Sequence, residues 1–279
     1  MTKLHRAYSS GSVDLTTRDS ADLAATYDEV SDHQFEHGKQ LISDLGILSG
    51  ERVLDVGMGT GRLAAHVAGI VGPSGHLIGI DPLPLRVEIA KTKSAENFEA
   101  GVGRAEDLSA FADASFDVVY LNSVFHWVAD KPQALSEIFR VLKGGGRLGL
   151  NSQDASRPNE SRVFLKDALL EAGVQADYDV VHPSLGVSRT ALEALLATAG
   201  FVCLAIEART LVDVFADVDA LIAWSSSSSF GNFLIGISTS DRAAIRDELG
   251  RKLACKAGPQ GIQLQRYLMF ATARKPSTS

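Results

Sequence analysis

The 279-residue sequence predicts an α/β protein with a doubly wound, mostly parallel sheet of seven strands. Short apolar segments such as Arg52–Val56 alternate with segments of helical length along the first half of the chain. Turns such as Gly72–Gly75 return the chain from a helix to the next strand. This alternation is typical of a parallel sheet that carries helices on both faces.

The length and the 45% apolar content allow a sizeable core, so we expect one elaborated domain over residues 20–279. Residues 1–19 are polar and are expected to form a mobile N-terminal arm. Within the domain we distinguish an N-terminal helical cover (20–48), a ligand-binding core (50–153) and a C-terminal lid and substrate region (154–279).

The cover is predicted to be helical. Ser20 is a suitable cap for a helix over Ala21–Leu45, whose imperfect apolar stripe indicates a break near Ser31 and Asp32. Because this segment precedes the first strand, we expect it to lie over the ligand.

The later elements follow the same alternation. Pro82 suits a helix start, since its missing N–H is not needed there. The run of serines over Ser225–Ser229 is low in complexity and is expected to be a loop in an insertion between the last two strands. The predicted strands are 52–56, 76–81, 98–102, 118–121, 146–150, 201–214 and 263–274, and the later helices are 82–97, 131–142, 161–172, 188–199 and 240–257.

The segment Val53–Gly61 is predicted to be a ligand loop, because an apolar strand runs through Asp55 into glycines at 57, 59 and 61. A dinucleotide fingerprint would need glycine where Arg62 stands, and a triphosphate loop would need Gly-Lys-Ser or Gly-Lys-Thr where this helix begins Gly-Arg-Leu. A carboxylate at the loop repels phosphates and favours a ligand that carries an ammonium and a sulfonium.

Four further segments occur in the order found in the class I S-adenosylmethionine-dependent methyltransferases, which this sequence resembles up to about Asn151. The run Phe125–Val128 is most similar to the ubiquinone-biosynthesis type, whose acceptors are small molecules. The matching segments after the loop are His76–Asp81, Gly103–Leu108, Ser115–Asn122 and Phe139–Leu148.

The resemblance implies a Rossmann-like methyltransferase fold and S-adenosylmethionine as cofactor, with S-adenosylhomocysteine as product. Asp81 closes the second strand, where the family's acid holds both ribose hydroxyls. Tyr27 resembles a tyrosine that closes over the cofactor in related enzymes. The expected cofactor residues are Tyr27, Asp55, Gly57, Gly59, Gly61, Asp81, Pro82, Ala105, Glu106, Asp107 and Asn122.

The acceptor side is predicted from side chains near the same edge of the sheet. His126 follows Asn122 by four residues and is the candidate catalytic base, since imidazole titrates near neutral pH. His33 and His37 share one helical face; they are interpreted as a hydrogen-bonded pair, with an acceptor-side base as alternative and no metal site without a third ligand. The expected substrate residues are Tyr27, His33, His126, Trp127, Trp224, Phe230 and Phe233.

Composition limits the partners. The 27 basic and 34 acidic side chains leave a net charge of −7, which gives no electrostatic case for nucleic acid or an anionic membrane surface. Cys203 and Cys255 are the two cysteines, which argues against a disulfide scaffold. With no apolar segment of signal-peptide or membrane-spanning character, a cytoplasmic protein is expected. A homo-oligomer is left open.

Several acceptor classes are disfavoured. The Asn-Pro-Pro-aromatic run of enzymes that methylate amino groups of nucleic acid is missing, since Asn122–Phe125 lacks both prolines, and two distant cysteines do not suit arsenic chemistry. We therefore expect methyl transfer to oxygen, carbon or nitrogen of a small, apolar organic acceptor such as a natural-product or quinone-like intermediate. The alternatives are a cofactor-binding regulatory subunit or non-methylating cyclase and, third, a nicotinamide oxidoreductase.

Overall fold

A twisted sheet forms the centre of the computed structural model, which describes residues 19–174, 186–227, 234 and 237–277. Its strands are β1 (Arg52–Val56), β2 (His76–Asp81), β3 (Phe98–Val102), β4 (Phe116–Leu121), β5 (Leu142–Gln153), β6 (Val202–Phe215), β7 (Ala257–Gly258) and β8 (Gly261–Arg274). The strand order is β3-β2-β1-β4-β5-β8-β6, and β7 pairs with β8 alone.

The first five strands pair in parallel, whereas β8 runs antiparallel to β5 and to β6. The predicted fold class, an α/β doubly wound and mostly parallel sheet, is confirmed. The two-residue β7 was not predicted.

Nine α-helices accompany the sheet in the described residues. They are α1 (Ala21–Val30), α2 (Asp32–Leu45), α3 (Arg62–Val71), α4 (Pro84–Lys91), α5 (Lys131–Val141), α6 (Glu160–Glu171), α7 (Arg189–Thr198), α8 (Val218–Ser226) and α9 (Thr239–Leu253). Short 3₁₀ turns occur at Phe125–Trp127 and Ala254–Lys256.

The predicted break in the N-terminal helix is confirmed, because α1 ends at Val30 and α2 begins at Asp32. Ser20 caps α1 by accepting a hydrogen bond from the Leu23 N–H. The predicted arm falls almost wholly outside the described residues.

Two predicted helices have different extents in the structure. The helix expected over 82–97 spans only Pro84–Lys91. It starts at Pro84 because Asp81 accepts a hydrogen bond from the Leu83 N–H and holds Leu83 extended, so that Pro84 takes the first helical position. The helix expected to reach residue 257 ends at Leu253.

The expected loop at the serine run is also wrong in part. Ser225 and Ser226 belong to α8, which begins where Asp217 accepts a hydrogen bond from the Ala220 N–H at 2.8 Å.

The core has two main layers, one on each face of the sheet, as the alternation of strand residues requires. Leu54 and Val56 belong to one layer and Val53 to the other. A third apolar cluster, which includes Leu165, Phe215 and Leu249, packs α6, α8 and α9 against the extended ends of β6 and β8. This cluster positions the C-terminal region over the edge at which β1, β2 and β4 end.

None of the helices in the described part of the chain is both long and apolar enough to cross a membrane.

We predict opposite effects for alanine at two glycines of the α3 region. Gly61 has φ +80°, and a Cβ there would lie 2.8 Å from the Ala90 Cβ, whereas a Cβ at Gly69 meets no heavy atom within 4 Å. Gly61→Ala should lower the free energy of unfolding by about 1–3 kcal/mol through strain and overpacking. Gly69→Ala should raise it by about 0.5–1 kcal/mol, since alanine loses less entropy in a helix. Urea unfolding measures both, and equal effects would contradict the packing described.

Candidate functional site

The glycine loop after β1 is tied to β2. Gly57 has φ +81°, and a Cβ there would lie 2.3 Å from the Val124 Cγ2, so only glycine fits. The N–H of Gly57 donates to the Ile80 carbonyl at 2.7 Å. The N–H of Gly59 donates to the Asp81 Oδ2 at 2.9 Å. The loop is therefore a fixed cradle with room for a ligand against its backbone.

Asp81 is 6% exposed and lines a pocket beside this loop, here called the Asp81 pocket. Burial raises the pKa of Asp81, while hydrogen bonds from the backbone N–H groups of Leu83 and Gly59 and the charge of Arg86 act in the opposite direction. The lining of the pocket includes the predicted residues Gly57, Asp81, Pro82, Ala105 and Glu106, together with Trp127.

Asp55 lines a second pocket, the Asp55 pocket, on the other side of Gly57. The Tyr120 hydroxyl donates to the Asp55 Oδ2 at 2.6 Å. Burial raises the pKa of Asp55 to about 7, although the hydrogen bond from Tyr120 lowers it. An ammonium group in this pocket would favour the ionised carboxylate.

Asn122 connects the sheet to the N-terminal cover. Its Nδ2 donates to the Gln34 carbonyl at 2.9 Å, and its Oδ1 accepts from the Asn151 Nδ2 at 2.7 Å. Asn151 in turn accepts from the Ser123 N–H at 2.6 Å. Neither Asn151 nor Tyr120 was predicted as a site residue, although Asn151 lies near the end of a strand, as Asn122 does.

Tyr27 on α1 lies over the glycine loop, since a Cβ at Gly59 would be 3.4 Å from the Tyr27 Cε1. The Arg86 guanidinium carbon lies 4.1 Å from the centre of the Tyr27 ring. Arg86 also donates to the carbonyl of Ser227, just after α8. The cover, the loop and the C-terminal region therefore meet at Tyr27.

A large cavity adjoins both pockets. Together with its opening to solvent it contains about 860 Å³ of empty space. It shares Tyr27 and Gln34 with the Asp55 pocket and Trp127 with the Asp81 pocket. Its described lining consists of Tyr27, Gln34, Ser123, His126, Trp127, Gln153, Asn159, Ser161, Arg162, Leu165, Trp224, Ser225, Arg266 and Leu268. Three of the predicted substrate residues, His126, Trp127 and Trp224, are thus brought together with Tyr27.

His126 is 4% exposed in the 3₁₀ turn after β4. Burial lowers its pKa to about 3, and the nearby charges of Lys131, Arg266 and Arg162 act in the same direction. The imidazole is therefore neutral at pH 7 and weakly basic. It remains a candidate to accept a proton, but its pKa is far below that of an effective base at neutral pH.

His33 and His37 are not among the described lining residues of the large cavity, although His33 was predicted to contact the substrate. Both rings turn instead toward Asp213, with their Nε2 atoms 4.0 and 3.8 Å from its Oδ1. Burial lowers the pKa of both rings, that of His37 to about 3. No cluster of three metal-ligating side chains occurs among the residues that the structure covers.

Asp213 and Arg266 were not predicted. The Arg266 Nε donates to the Asp213 Oδ2 at 2.7 Å, and the two residues are 7% and 2% exposed. The guanidinium carbon lies 4.7 Å from the Trp224 ring, whose Nε1 donates to the Gln34 Oε1 at 3.3 Å. The sequence did contain a signal for this pair, because Asp213 and Arg266 are charged residues within the predicted strands 201–214 and 263–274.

Three predicted cofactor residues, Gly59, Gly61 and Asp107, are not among the described lining of either pocket. Asp107 is exposed and lines neither pocket, because its Oδ1 turns back to accept a hydrogen bond from the Ser109 N–H at 3.1 Å. Gly61 packs against Ala90 of α4 and shapes the loop from behind. The predicted Phe230 and Phe233 lie outside the described residues.

The fold and the site define a class: an α/β protein whose glycine loop and carboxylates suit a cationic nucleoside cofactor, with a separate cavity beside them. Residues 54–150 match the family described as Methyltransferase domain. An arsenite methyltransferase of Halobacterium salinarum is 31% identical over 206 residues, which cover 71% of this chain and 48% of that protein. The ubiquinone/menaquinone biosynthesis C-methyltransferase UbiE of Vibrio campbellii is 41% identical over 108 residues, 37% of this chain and 41% of that protein.

Among solved structures, the YcgJ protein of Bacillus subtilis has the same fold, with a TM-score of 0.59, 23% identity and coverage of 88% of this chain and 99% of that chain. The chain spans less than half the length of the two curated relatives. Residues 54–150 are therefore a methyltransferase domain, and the predicted resemblance and its cofactor, S-adenosylmethionine, are confirmed.

We predict that Asp55 gives the cofactor-free protein a distinctive pH dependence. Its pKa of about 7 in the folded state exceeds the value of about 4 in an unfolded chain. The folded state therefore holds a proton that the unfolded chain has released, so the contribution of Asp55 to stability is full below about pH 4 and is lost as the pH rises through about 7.

The test compares urea unfolding of the wild type and of Asp55→Asn between pH 5 and 8. The difference between the two proteins isolates the contribution of Asp55 from that of the buried histidines, which stabilise the folded state increasingly as the pH rises. The stability of the wild type relative to Asp55→Asn should fall by about 1–3 kcal/mol across this range. Asp107→Asn is the exposed control. A relative stability that stays constant between pH 5 and 8 would show that Asp55 is ionised in the folded protein throughout this range.

Proposed function

We propose that this protein transfers a methyl group from S-adenosylmethionine to a small organic acceptor bound in the large cavity. The observation that carries the proposal is the continuity of the three spaces: Tyr27 and Gln34 line both the large cavity and the Asp55 pocket, and Trp127 lines both the large cavity and the Asp81 pocket. A cofactor that spans the two pockets would thus face the cavity.

The residues present suit each part of the cofactor. Each carboxylate oxygen of Asp81 accepts one backbone hydrogen bond and can accept another, which fits the two ribose hydroxyls. Asp55 suits the ammonium group of the cofactor. Ala105 and Val124 give the Asp81 pocket an apolar wall against which the nucleobase of the cofactor would lie. When bound, the cofactor supplies the methyl group on a sulfonium, which is already a good leaving group.

The protein's task is then to align the acceptor and exclude water. Tyr27 and Trp224 come to the cavity from different helices, α1 and α8, and Leu165 and Leu268 add apolar surface. These side chains would hold the apolar body of an acceptor. His126 would take a proton only from an acceptor acidic enough to yield one to a weak base.

Arsenite, for which one of the relatives is named, suits this cavity less well. Cys203 and Cys255 are both exposed, and neither is among the described lining residues. An organic acceptor, methylated on oxygen, carbon or nitrogen, fits the lining better.

A second candidate function is cofactor binding without methyl transfer, as in a regulatory subunit or a non-methylating cyclase. The low pKa of His126 favours it, because the described cavity then offers no strong base. The two functions differ in whether the cofactor is consumed. A cytoplasmic location remains a prediction.

Methyl transfer is tested by incubating the protein with S-adenosylmethionine and fractionated small-molecule extracts, with S-adenosylhomocysteine and methylated product both quantified by mass spectrometry. We expect equal amounts of the two. Asp81→Ala should weaken S-adenosylhomocysteine binding by about 1.5–3 kcal/mol through lost charged hydrogen bonds. The exposed control Asp107→Ala should change it by less than about 0.5 kcal/mol. Binding without any product would favour the second candidate, and no binding would contradict both.

A further inference from the structure

The sheet ends in a long edge strand, β6. This strand pairs with β8 on one side, from Val202 to Phe215. Among the described strands, none pairs with its other side. The backbone N–H and C=O groups that point outward along that side can therefore form hydrogen bonds with another extended segment.

β6 exposes apolar side chains on both sides of its middle. Four large apolar residues of this strand are 40–55% exposed: Val202, Leu204, Val212 and Val214. An exposed edge strand is normally short or protected by charged residues. β6 instead has 14 residues, and its exposed or half-buried charged side chains, Glu207 and Arg209, both lie near the middle. An apolar edge of this length is stabilised when another strand covers it.

The residues of β6 are ordered almost symmetrically about Ala208. If two copies of β6 pair antiparallel across a two-fold axis at Ala208, Glu207 of each copy lies opposite Arg209 of the other. An axis at Glu207 or at Arg209 would instead place like charges directly opposite each other, which is destabilising. Arg209 already pairs with Glu207 and with Asp44 of its own chain. The charges therefore select the register of such a pair, whereas its stability has to come from the apolar ends.

The axis at Ala208 also brings the apolar ends together. Leu204 of one copy lies toward Val212 of the other, and Val202 lies toward Val214. The pairing of β6 with β8 is regular over 205–215, so the middle of β6 can pair along its outer side without a bulge. Because the two-fold axis doubles each contact, eight apolar side chains lose exposure. A second copy of this chain fits the edge, since each half of β6 complements the other half.

We propose that β6 is a dimer interface, at which two copies of this chain pair antiparallel about Ala208 and join their sheets into one. The interface does not depend on the proposed function or on the identity of the acceptor. β6 also carries Asp213, the ion-pair partner of Arg266 in the wall of the large cavity. The partner copy thereby supports, from outside, the strand that holds this wall.

Disulfide cross-linking of the full-length protein tests the register. In a background of Cys203→Ser and Cys255→Ser, Ala208→Cys places the two thiols at the axis, where opposite Cβ atoms lie about 5 Å apart and a disulfide can form. Thr210→Cys is the matched control. Thr210 is exposed on the same side of β6, but its two copies would lie four residues apart, about 13 Å along the strands. Mild oxidation should cross-link the Ala208→Cys protein about tenfold or more faster than the control.

Light scattering over a dilution series tests the interface itself. The wild type should be a dimer, and Val212→Lys should raise its dissociation constant about tenfold or more, because each substitution changes two symmetry-related contacts. Glu207→Lys places a lysine opposite Arg209 of the other copy and should act in the same direction. Val102→Lys is the control, since Val102 is 63% exposed on β3 at the opposite edge of the sheet. It should leave the dimer unchanged.

Three results would each overturn the proposal. They are a wild type that is monomeric throughout the dilution series, equal rates of cross-linking at residues 208 and 210, and a dimer that withstands both Val212→Lys and Glu207→Lys. Pairing of β6 with another protein belongs to the first result, because it leaves the purified chain monomeric. Urea unfolding of each variant confirms that it is folded, so that loss of the dimer is not loss of the fold.

Discussion

The site depends on the hydrogen bonds that the buried carboxylate of Asp81 accepts from two backbone N–H groups. The bond from Gly59 joins the loop after β1 to the end of β2, and the bond from Leu83 holds the chain extended until Pro84 begins α4. These bonds offset part of the cost of burying the carboxylate. The same side chain thus fixes the loop, delays the helix and lines the pocket in which we place the ribose.

The large cavity depends on a different constraint, the length of β6 and β8. Both strands have 14 residues, against 5 in β1, and their outer pairs extend to Phe215 opposite Ile262. This extension carries Asp213 and Arg266 past the edge of the parallel strands, where α6 and α8 pack against the two strands. The Asp213–Arg266 ion pair on β6 and β8 therefore lies beside the large cavity. Apart from Arg266 and Arg162, the described lining of this cavity is uncharged.

Because a residue near the end of a buried parallel strand must lie toward the carboxyl edge of the sheet, the sequence placed Asp55 and Asp81 at this edge, and each of them lines a pocket there. Glu106 was expected from the family resemblance, and it lines the Asp81 pocket. Arg266 and Asp213 were missed because their pairing depends on the register of two distant strands, in which Leu211 lies opposite Arg266. Asp107, which was expected beside the cofactor, lines neither pocket, because its carboxylate turns back to accept a hydrogen bond from the Ser109 N–H.

The most direct test of the proposed site is a crystal structure of the protein with S-adenosylhomocysteine. We expect the ribose hydroxyls within hydrogen-bonding distance of Asp81, the ammonium group beside Asp55, and the sulfur facing the large cavity between Tyr27 and Trp127. A ligand with its sulfur directed away from that cavity, or bound outside the two pockets, would contradict the proposed site.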